Sequence, residues 1–222
     1  MRDRQIKIAI CGNMGAGKDL AFAILKSILF LGKNQQVFSN DFLLHKSQTD
    51  EMWLNEQCHF VIERFARPIK ECIAGFTGMN VTRLQSQEVK QQILPECYFS
   101  NTLSEITVRQ LHQIIADGLK NVLNPDIFAL SLIDRISKPD FQNSNIAVLD
   151  LRFLNEVAVL QQNGFTIIKI INHNNTKPIT VHNSEQEQGS IEPDYVLHND
   201  GVSISNLQAA VYDMCKYFNW VD

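Results

Sequence analysis

Ile8-Ala9-Ile10-Cys11-Gly12-Asn13-Met14-Gly15-Ala16-Gly17-Lys18-Asp19 is the stretch on which the reading of this chain turns. An apolar run of strand length leads into a glycine-rich turn, and Leu20-Ala21-Phe22-Ala23-Ile24-Leu25 then opens a helix. Glycines let backbone N–H groups turn inward around an anion, and the helix N-terminus adds partial positive charge. Lys18, at the helix start, is placed to reach the β- and γ-phosphates of a nucleotide. Gly12, Asn13, Met14, Gly15, Ala16, Gly17, Lys18 and Asp19 are therefore candidate nucleotide-binding residues. A standard loop of this kind has Ser or Thr after the lysine, whose hydroxyl meets Mg²⁺; here that position is Asp19. The plainer alternative is a strand-to-helix turn with no ligand.

On either side of the loop, apolar periodicity predicts a strand over residues 6–11 and a helix over 18–31 with Leu20, Ile24, Leu25, Ile28 and Leu31 on its apolar face, ended by Gly32. A second strand is expected over 59–65, followed by a helix over 68–76 with Pro68 in its first turn. Residues 34–57 are polar and uneven and receive no assignment. Residues 80–105 are polar and broken by Pro95. Residues 107–123 read as a helix with Leu111, Ile114, Ile115 and Leu119 on one face. Asn124-Pro125-Asp126 caps another helix running to Ile136. The run Ile146-Ala147-Val148-Leu149-Asp150 reads as a central parallel strand ending in an acid. A helix to Gln162, a strand over 165–171, a mobile loop over 172–192, a short strand over 195–197 and a helix over 207–218 complete the chain. This alternation predicts an α/β fold, a doubly wound parallel sheet with ligands at the C-terminal strand ends.

The chain has 222 residues, of which 45% are hydrophobic, enough for one large globular domain with a full core. A formal net charge of -4 argues against a protein whose main task is gripping the backbone of a nucleic acid polymer. The five cysteines, Cys11, Cys58, Cys72, Cys97 and Cys215, are scattered and form no C-x-x-C pair, so they read as reduced core residues of a cytoplasmic protein. The six histidines show no metal-ligand spacing. Met1-Arg2-Asp3-Arg4 runs straight into the first strand, so no leader is expected, and no apolar run is long enough to cross a membrane.

Several further residues fit phosphate chemistry. Asp150 at a strand end can hold Mg²⁺ or its waters, and Arg152 can grip phosphate through a planar fork. The alternative is a strand-end acid capping the next helix, with Arg152 as its ion-pair partner. Arg67, Lys70 and Arg109 are cations at or near helix starts, where the dipole opposes them. Each is either a ligand for an acceptor phosphate or a solvated charge. Asp117 follows Arg109 by about two helical turns and can read a base edge or sugar hydroxyl of the same ligand. His182-Asn183-Ser184-Glu185 reads as a loop with a local cap, and Asn199-Asp200-Gly201 as a turn.

Taken in order, Gly12 to Asp19, Phe65-Ala66-Arg67-Pro68-Ile69-Lys70-Glu71, Thr107-Val108-Arg109-Gln110-Leu111, Asp150-Leu151-Arg152-Phe153-Leu154-Asn155-Glu156, His182-Asn183-Ser184-Glu185 and Asn199-Asp200-Gly201 resemble the phage-type deoxynucleoside monophosphate kinases, members of the P-loop kinase fold. In that family Gly-Lys-Asp is the usual end of the phosphate loop. The resemblance implies a single P-loop kinase domain over 1–222: a core of 1–40 and 120–222, a helical acceptor-binding region over 41–119, and a lid over 172–192. It implies transfer of the ATP γ-phosphoryl group to a deoxynucleoside monophosphate, with Mg²⁺ held by Asp19 and Asp150. Lys18, Asp150 and Arg152 would be catalytic. Arg67, Lys70, Arg109 and Asp117 would face the acceptor, and Asn199, Asp200 and Gly201 would lie near the adenine. The resemblance also implies a cytoplasmic enzyme, in the host cytoplasm if the source is viral, without membrane or nucleic acid polymer as partner and with homodimerisation open.

The chain differs from the family pattern at three places. Leu20 stands where the family has Thr, Ala116-Asp117-Gly118 where it often has Gly-Thr-Glu, and the lid holds Lys177, His173 and His182 but no arginine. More distantly, the Gly-Lys-Asp loop and the late Ser-Glu and Asn-x-Gly segments resemble animal-type phosphomevalonate kinases. A nucleotide-binding protein without catalysis is the third reading.

Overall fold

The computed structural model describes residues 5–13, 15–34, 56–95, 105–172, 174 and 187–221. Met14, Cys97, residues 35–55 and the lid residues His173, Lys177 and His182-Asn183-Ser184-Glu185 lie outside them. The chain divides into two compact units, one of Met1–Arg64 with Leu132–Asp222 and one of Phe65–Ser131.

The first unit is an α/β fold built on a five-stranded, all-parallel sheet flanked by helices. Its strands are β1 (Lys7–Cys11), β2 (Phe60–Glu63), β3 (Asn145–Val148), β4 (Thr166–Ile171) and β5 (Tyr195–His198), in the spatial order β2-β3-β1-β4-β5. The strands are apolar almost throughout because both faces are covered, as parallel sheets require. Side chains alternate between faces. Ile8, Ile10, Ala147, Leu149, Ile168, Ile170 and Leu197 share one core with helix α1 (Lys18–Asn34), through Phe22, Leu25 and Leu29, and with the last helix of the chain (Ile204–Tyr217), through Leu207, Val211 and Met214. Ala9, Cys11, Ile146, Val148 and Ile167 alternate to the other face and are equally buried. Because every strand is parallel, the chain leaves all five at one edge: Gly12 after β1, Arg64 after β2, Leu149 after β3, Asn172 after β4 and Asn199 after β5.

The second unit is helical. It contains α2 (Arg67–Thr77), a 3₁₀ turn (Arg83–Gln85), the short α3 (Gln87–Gln91), α4 (Val108–Val122) and the first turn of α5 (Ile127–Ile136). Pro68 sits in the first turn of α2, and Gly78 ends it in the left-handed conformation at φ 69°. Ser86 caps α3 by accepting from the Val89 N–H. Thr107 and Gln110 form a reciprocal capping box at the start of α4. An isolated antiparallel bridge joins Ile93 to Thr107. Two further helices of the first unit are α6 (Leu154–Gln162) and α7, the Ile204–Tyr217 helix already named.

Four expectations are corrected. Gly32 does not end α1, which runs on to Asn34. Leu20 is 39% exposed rather than on the core face, which Ala21, Phe22, Ile24, Leu25, Ile28 and Leu29 occupy instead. Ile114 is 53% exposed, so the apolar stripe of α4 is narrower than its periodicity suggests. The far end of the expected 172–192 loop is anchored: Ile191 is buried, and Gln188, also buried, donates to the Leu151 carbonyl at 3.1 Å. Among the described residues no helix is long and apolar enough to cross a membrane.

The sheet edge is braced by one buried ion pair. Glu63, fully buried at the end of β2, accepts from Arg135 Nε at 3.2 Å and Nη2 at 3.0 Å. Removing one partner of such a pair strands the other charge, at a cost of about 3 kcal/mol or more. Arg135→Ala is expected to lower unfolding free energy in urea by that amount. A loss under about 1 kcal/mol would show that water reaches Glu63.

Candidate functional site

The strand-to-helix loop after β1 is shaped by positions where only glycine fits. Gly12 has φ 146°, and a Cβ there would lie 2.5 Å from the Ile170 carbonyl oxygen of β4. Gly17 has φ 93°, and its Cβ would meet Asn199 Nδ2 at 2.5 Å. Both conformations are ones that L side chains avoid. The Asn199 amide, buried at the end of β5, donates to the Ala16 carbonyl at 2.9 Å and accepts from the Gly201 N–H at 3.1 Å. Its own N–H goes to the Ile171 carbonyl. The loop is therefore held against β4 and the β5–α7 turn.

Lys18, the first residue of α1, folds back over the loop. Its Nζ donates to the carbonyls of Gly12 at 2.5 Å and Asn13 at 3.1 Å. Burial lowers its pKa, and the nearby positive charge of Arg152 acts in the same direction; Asp19 opposes them, and Arg64 adds a smaller lowering effect. A lysine inside a glycine cradle with two arginines close by makes a strongly positive spot, suited to a polyanion. Cys11, immediately before the loop, is pushed up to about 11 by burial, so its thiol is inert packing rather than a nucleophile.

The segment after β3 is a built loop. Glu156, buried in the first turn of α6, accepts from the backbone N–H groups of Arg152 at 3.0 Å and Phe153 at 3.1 Å. Leu151 is buried, and its carbonyl takes the Gln188 bond. The backbone of Arg152 is thus fixed while its side chain is exposed. Asp150 is half-buried just beyond β3. Mg²⁺ is bound through one or two carboxylates together with phosphates and water. Asp150, past β3, and Asp19, 85% exposed on the first turn of α1, lie at the same sheet edge and are the carboxylates that could hold such a cation with a ligand's phosphates; among the described residues no cluster of three or more metal-ligating side chains forms. Asp200 has another task. It accepts from the Val202 N–H at 3.0 Å and Asn206 Nδ2 at 2.7 Å, and the Asn206 bond first, then the Val202 bond, hold its carboxyl below the ordinary range and tie the turn to α7.

In the helical unit, Arg67 pairs with Glu71 one turn along α2 at 2.9 Å, both half-exposed, which gives it a local partner. Arg109 Nη2 donates to Gln87 Oε1 of α3 at 2.7 Å. Asp117 is exposed, two turns beyond Arg109 on α4. On α4, His112 donates from Nδ1 to the Val108 carbonyl at 3.0 Å; a carbonyl can only accept, so the proton is on Nδ1. Its Nε2 is buried without a hydrogen-bond partner among the described residues. Burial lowers its pKa; the Val108 bond works against this, and Lys70, Lys90 and Arg109 add to it. Lys70 and Arg109, two expected acceptor ligands, thus lie in one positive neighbourhood, with Lys90 as a third cation.

Four residues at these sites are absent from the candidates that residue order suggests. Arg64 falls inside the expected second strand, but β2 stops at Glu63 and Arg64 turns toward Asp19, Nη2 to Oδ1 at 3.7 Å. Lys90 and Arg135 carry no sequence signal. Glu156 does carry one, as an acid in a first helical turn.

Asn199→Ala would leave the Ala16 carbonyl and Gly201 N–H unpaired, and is expected to cost about 1–3 kcal/mol in denaturant unfolding. Gly17→Ala should cost less in that background than in the wild type, because the 2.5 Å neighbour is gone. Strict additivity would refute the close approach. A second outcome concerns pH. His112 is held neutral in the fold, whereas the unfolded chain takes up its proton near the ordinary value of about 6.5. Stability is therefore complete above that value and falls as pH drops below it. His112→Gln should flatten this part of a stability profile between about pH 8 and 5.5; an unchanged slope would place His112 in water.

Comparison with protein-family models and with curated proteins gives no match to this chain.

Proposed function

We propose that this protein is an ATP-dependent deoxynucleoside monophosphate kinase of the P-loop kinase fold, transferring the γ-phosphoryl group to the acceptor phosphate. The observation that carries the reading is the glycine cradle after β1, with Lys18 folded over its carbonyls. β1 is the middle strand of the sheet, with β3 on one side and β4 on the other. That is the switch point at the carboxyl edge, where open α/β sheets take ligands.

Phosphoryl transfer demands positioning and charge neutralisation more than covalent help from the protein. The loop amides and the N-terminus of α1 would bind the donor's phosphates. Lys18, released from the Gly12 and Asn13 carbonyls, would follow the transferred group. Arg152, its backbone fixed by Glu156, would present a planar fork to the phosphates. Bound Mg²⁺ would supply charge neutralisation at the β- and γ-phosphates, with Asp150 and Asp19 as the residues to hold it. Asn199 to Gly201, bonded to the loop through Ala16, would border the adenine. Arg109, with Lys70 and Arg67, is assigned to the acceptor phosphate, and Asp117 to its sugar or base. Phosphomevalonate is the alternative acceptor. The exposed Leu20, in place of a hydroxyl residue, favours a binding protein without turnover as the alternative to any kinase.

A coupled ADP-release assay across the deoxynucleoside and ribonucleoside monophosphates and phosphomevalonate separates these readings. Turnover is expected with a deoxynucleoside monophosphate. Lys18→Ala should weaken calorimetric ATP binding by about 2 kcal/mol or more. Arg109→Ala should raise the acceptor KM about tenfold with the ATP KM nearly unchanged. ATP binding without turnover on any acceptor would leave the non-catalytic reading, and equal ATP affinity in wild type and Lys18→Ala would remove the phosphate-loop assignment.

A further inference from the structure

Arg64 is the first residue beyond β2, on the edge of the sheet that also carries the glycine loop. Its side chain is about one-third exposed, and its Nη2 reaches Asp19 Oδ1 at 3.7 Å. Its backbone is braced as well: Arg135, which pairs with buried Glu63, also donates from Nη2 to the Arg64 carbonyl at 3.4 Å. A fully buried carboxylate and a second arginine therefore fix where the Arg64 side chain starts. What holds its tip is much weaker. Asp19 is 85% exposed, the contact is long, and ion pairs in water add little. Arg64 is thus a guanidinium on a rigid base, held loosely beside the residue that ends the loop.

We propose that Arg64 is the residue that senses the terminal phosphate of the nucleotide, and that Asp19 holds it in reserve until a cation takes the Asp19 carboxylate. This deepens the kinase reading and rests on it. Asp19 cannot serve a divalent cation and a guanidinium equally, since each competes for the same oxygens. Were Asp19 to hold the Mg²⁺ that accompanies a nucleotide, its carboxylate would no longer be available to Arg64. The freed guanidinium then meets phosphate oxygens with two parallel N–H donors, a stronger and more directional contact than the one it left. The positive charges of Lys18 and Arg152 make release of Arg64 depend on an anion at hand, because a freed arginine beside them would otherwise be repelled. A diphosphate lacks the terminal group, so Arg64 gains no phosphate contact there whether or not a cation occupies Asp19. The pair therefore separates a loaded site from a spent one.

Calorimetric titration with ATP and with ADP, each with Mg²⁺ and with EDTA, tests this on the full chain. Wild type is expected to bind Mg²⁺-ATP at least about tenfold more tightly than Mg²⁺-ADP. Arg64→Gln should cut that preference to about threefold or less with ADP affinity unchanged, and Arg64→Lys, which keeps charge but not the fork, should fall between them. Asp19→Asn should raise ATP affinity in EDTA several-fold, because Arg64 is then free without a metal. Circular dichroism checks that each variant folds, and Arg64→Lys serves if Arg64→Gln does not. An ATP-over-ADP preference intact in both Arg64 variants would overturn the sensor while leaving the nucleotide site standing. A wild-type protein that binds neither nucleotide would overturn both.

Discussion

One buried amide holds the centre of this structure together. Asn199 gives a hydrogen bond to Ala16, takes one from Gly201, and sits where a side chain on Gly17 would have to be. It can do so because β5 pairs with β4 and β4 with β1, so that the end of β5 arrives beside the loop that leaves β1. The same packing brings the Ile170 carbonyl against Gly12. The loop's glycines are consequently held in left-handed backbone. Lys18 lies across the same loop, its Nζ bonded to the Gly12 and Asn13 carbonyls.

Around that loop the parallel sheet works as a collecting device. Each strand delivers its next residues to the same edge, so groups far apart in sequence gather without any local signal. Arg64 arrives from β2, Asp150 and Arg152 from β3, and Asn199 from β5. Their supports come from behind: Arg135 fixes the end of β2, and Glu156 fixes the turn after β3. Charged groups left exposed at the edge are thus carried on backbone that buried partners hold still. The helical unit uses a different device. Caps at Ser86 and Thr107 set the starts of α3 and α4, and the Arg109–Gln87 bond ties one to the other.

Much of the local structure is legible from residue order. Gly12 to Lys18 announce the loop, Pro68 marks the start of α2, and apolar periodicity finds the body of α4, because such signals act within a few residues of one another. Those signals fail where burial decides the matter. Leu20 and Ile114 fit an apolar period yet are 39% and 53% exposed, and Gly32 passes without breaking α1, which runs on to Asn34. Residues 187–192 read as loop because their anchors, Gln188 and Ile191, are single contacts without a period.

Residue order therefore dictates the α/β alternation, the glycine cradle and the identity of the residues that could carry phosphate chemistry. Strand order, and through it the partnerships, comes only from the folded sheet. Asn199 reaches Ala16 across 183 residues, Arg135 reaches Glu63 across 72, and Arg64 faces Asp19 only because β2 ends one residue before it. Such pairings depend on which strands lie side by side and in what register. That choice belongs to the packing of the whole sheet, and no short window of sequence contains it.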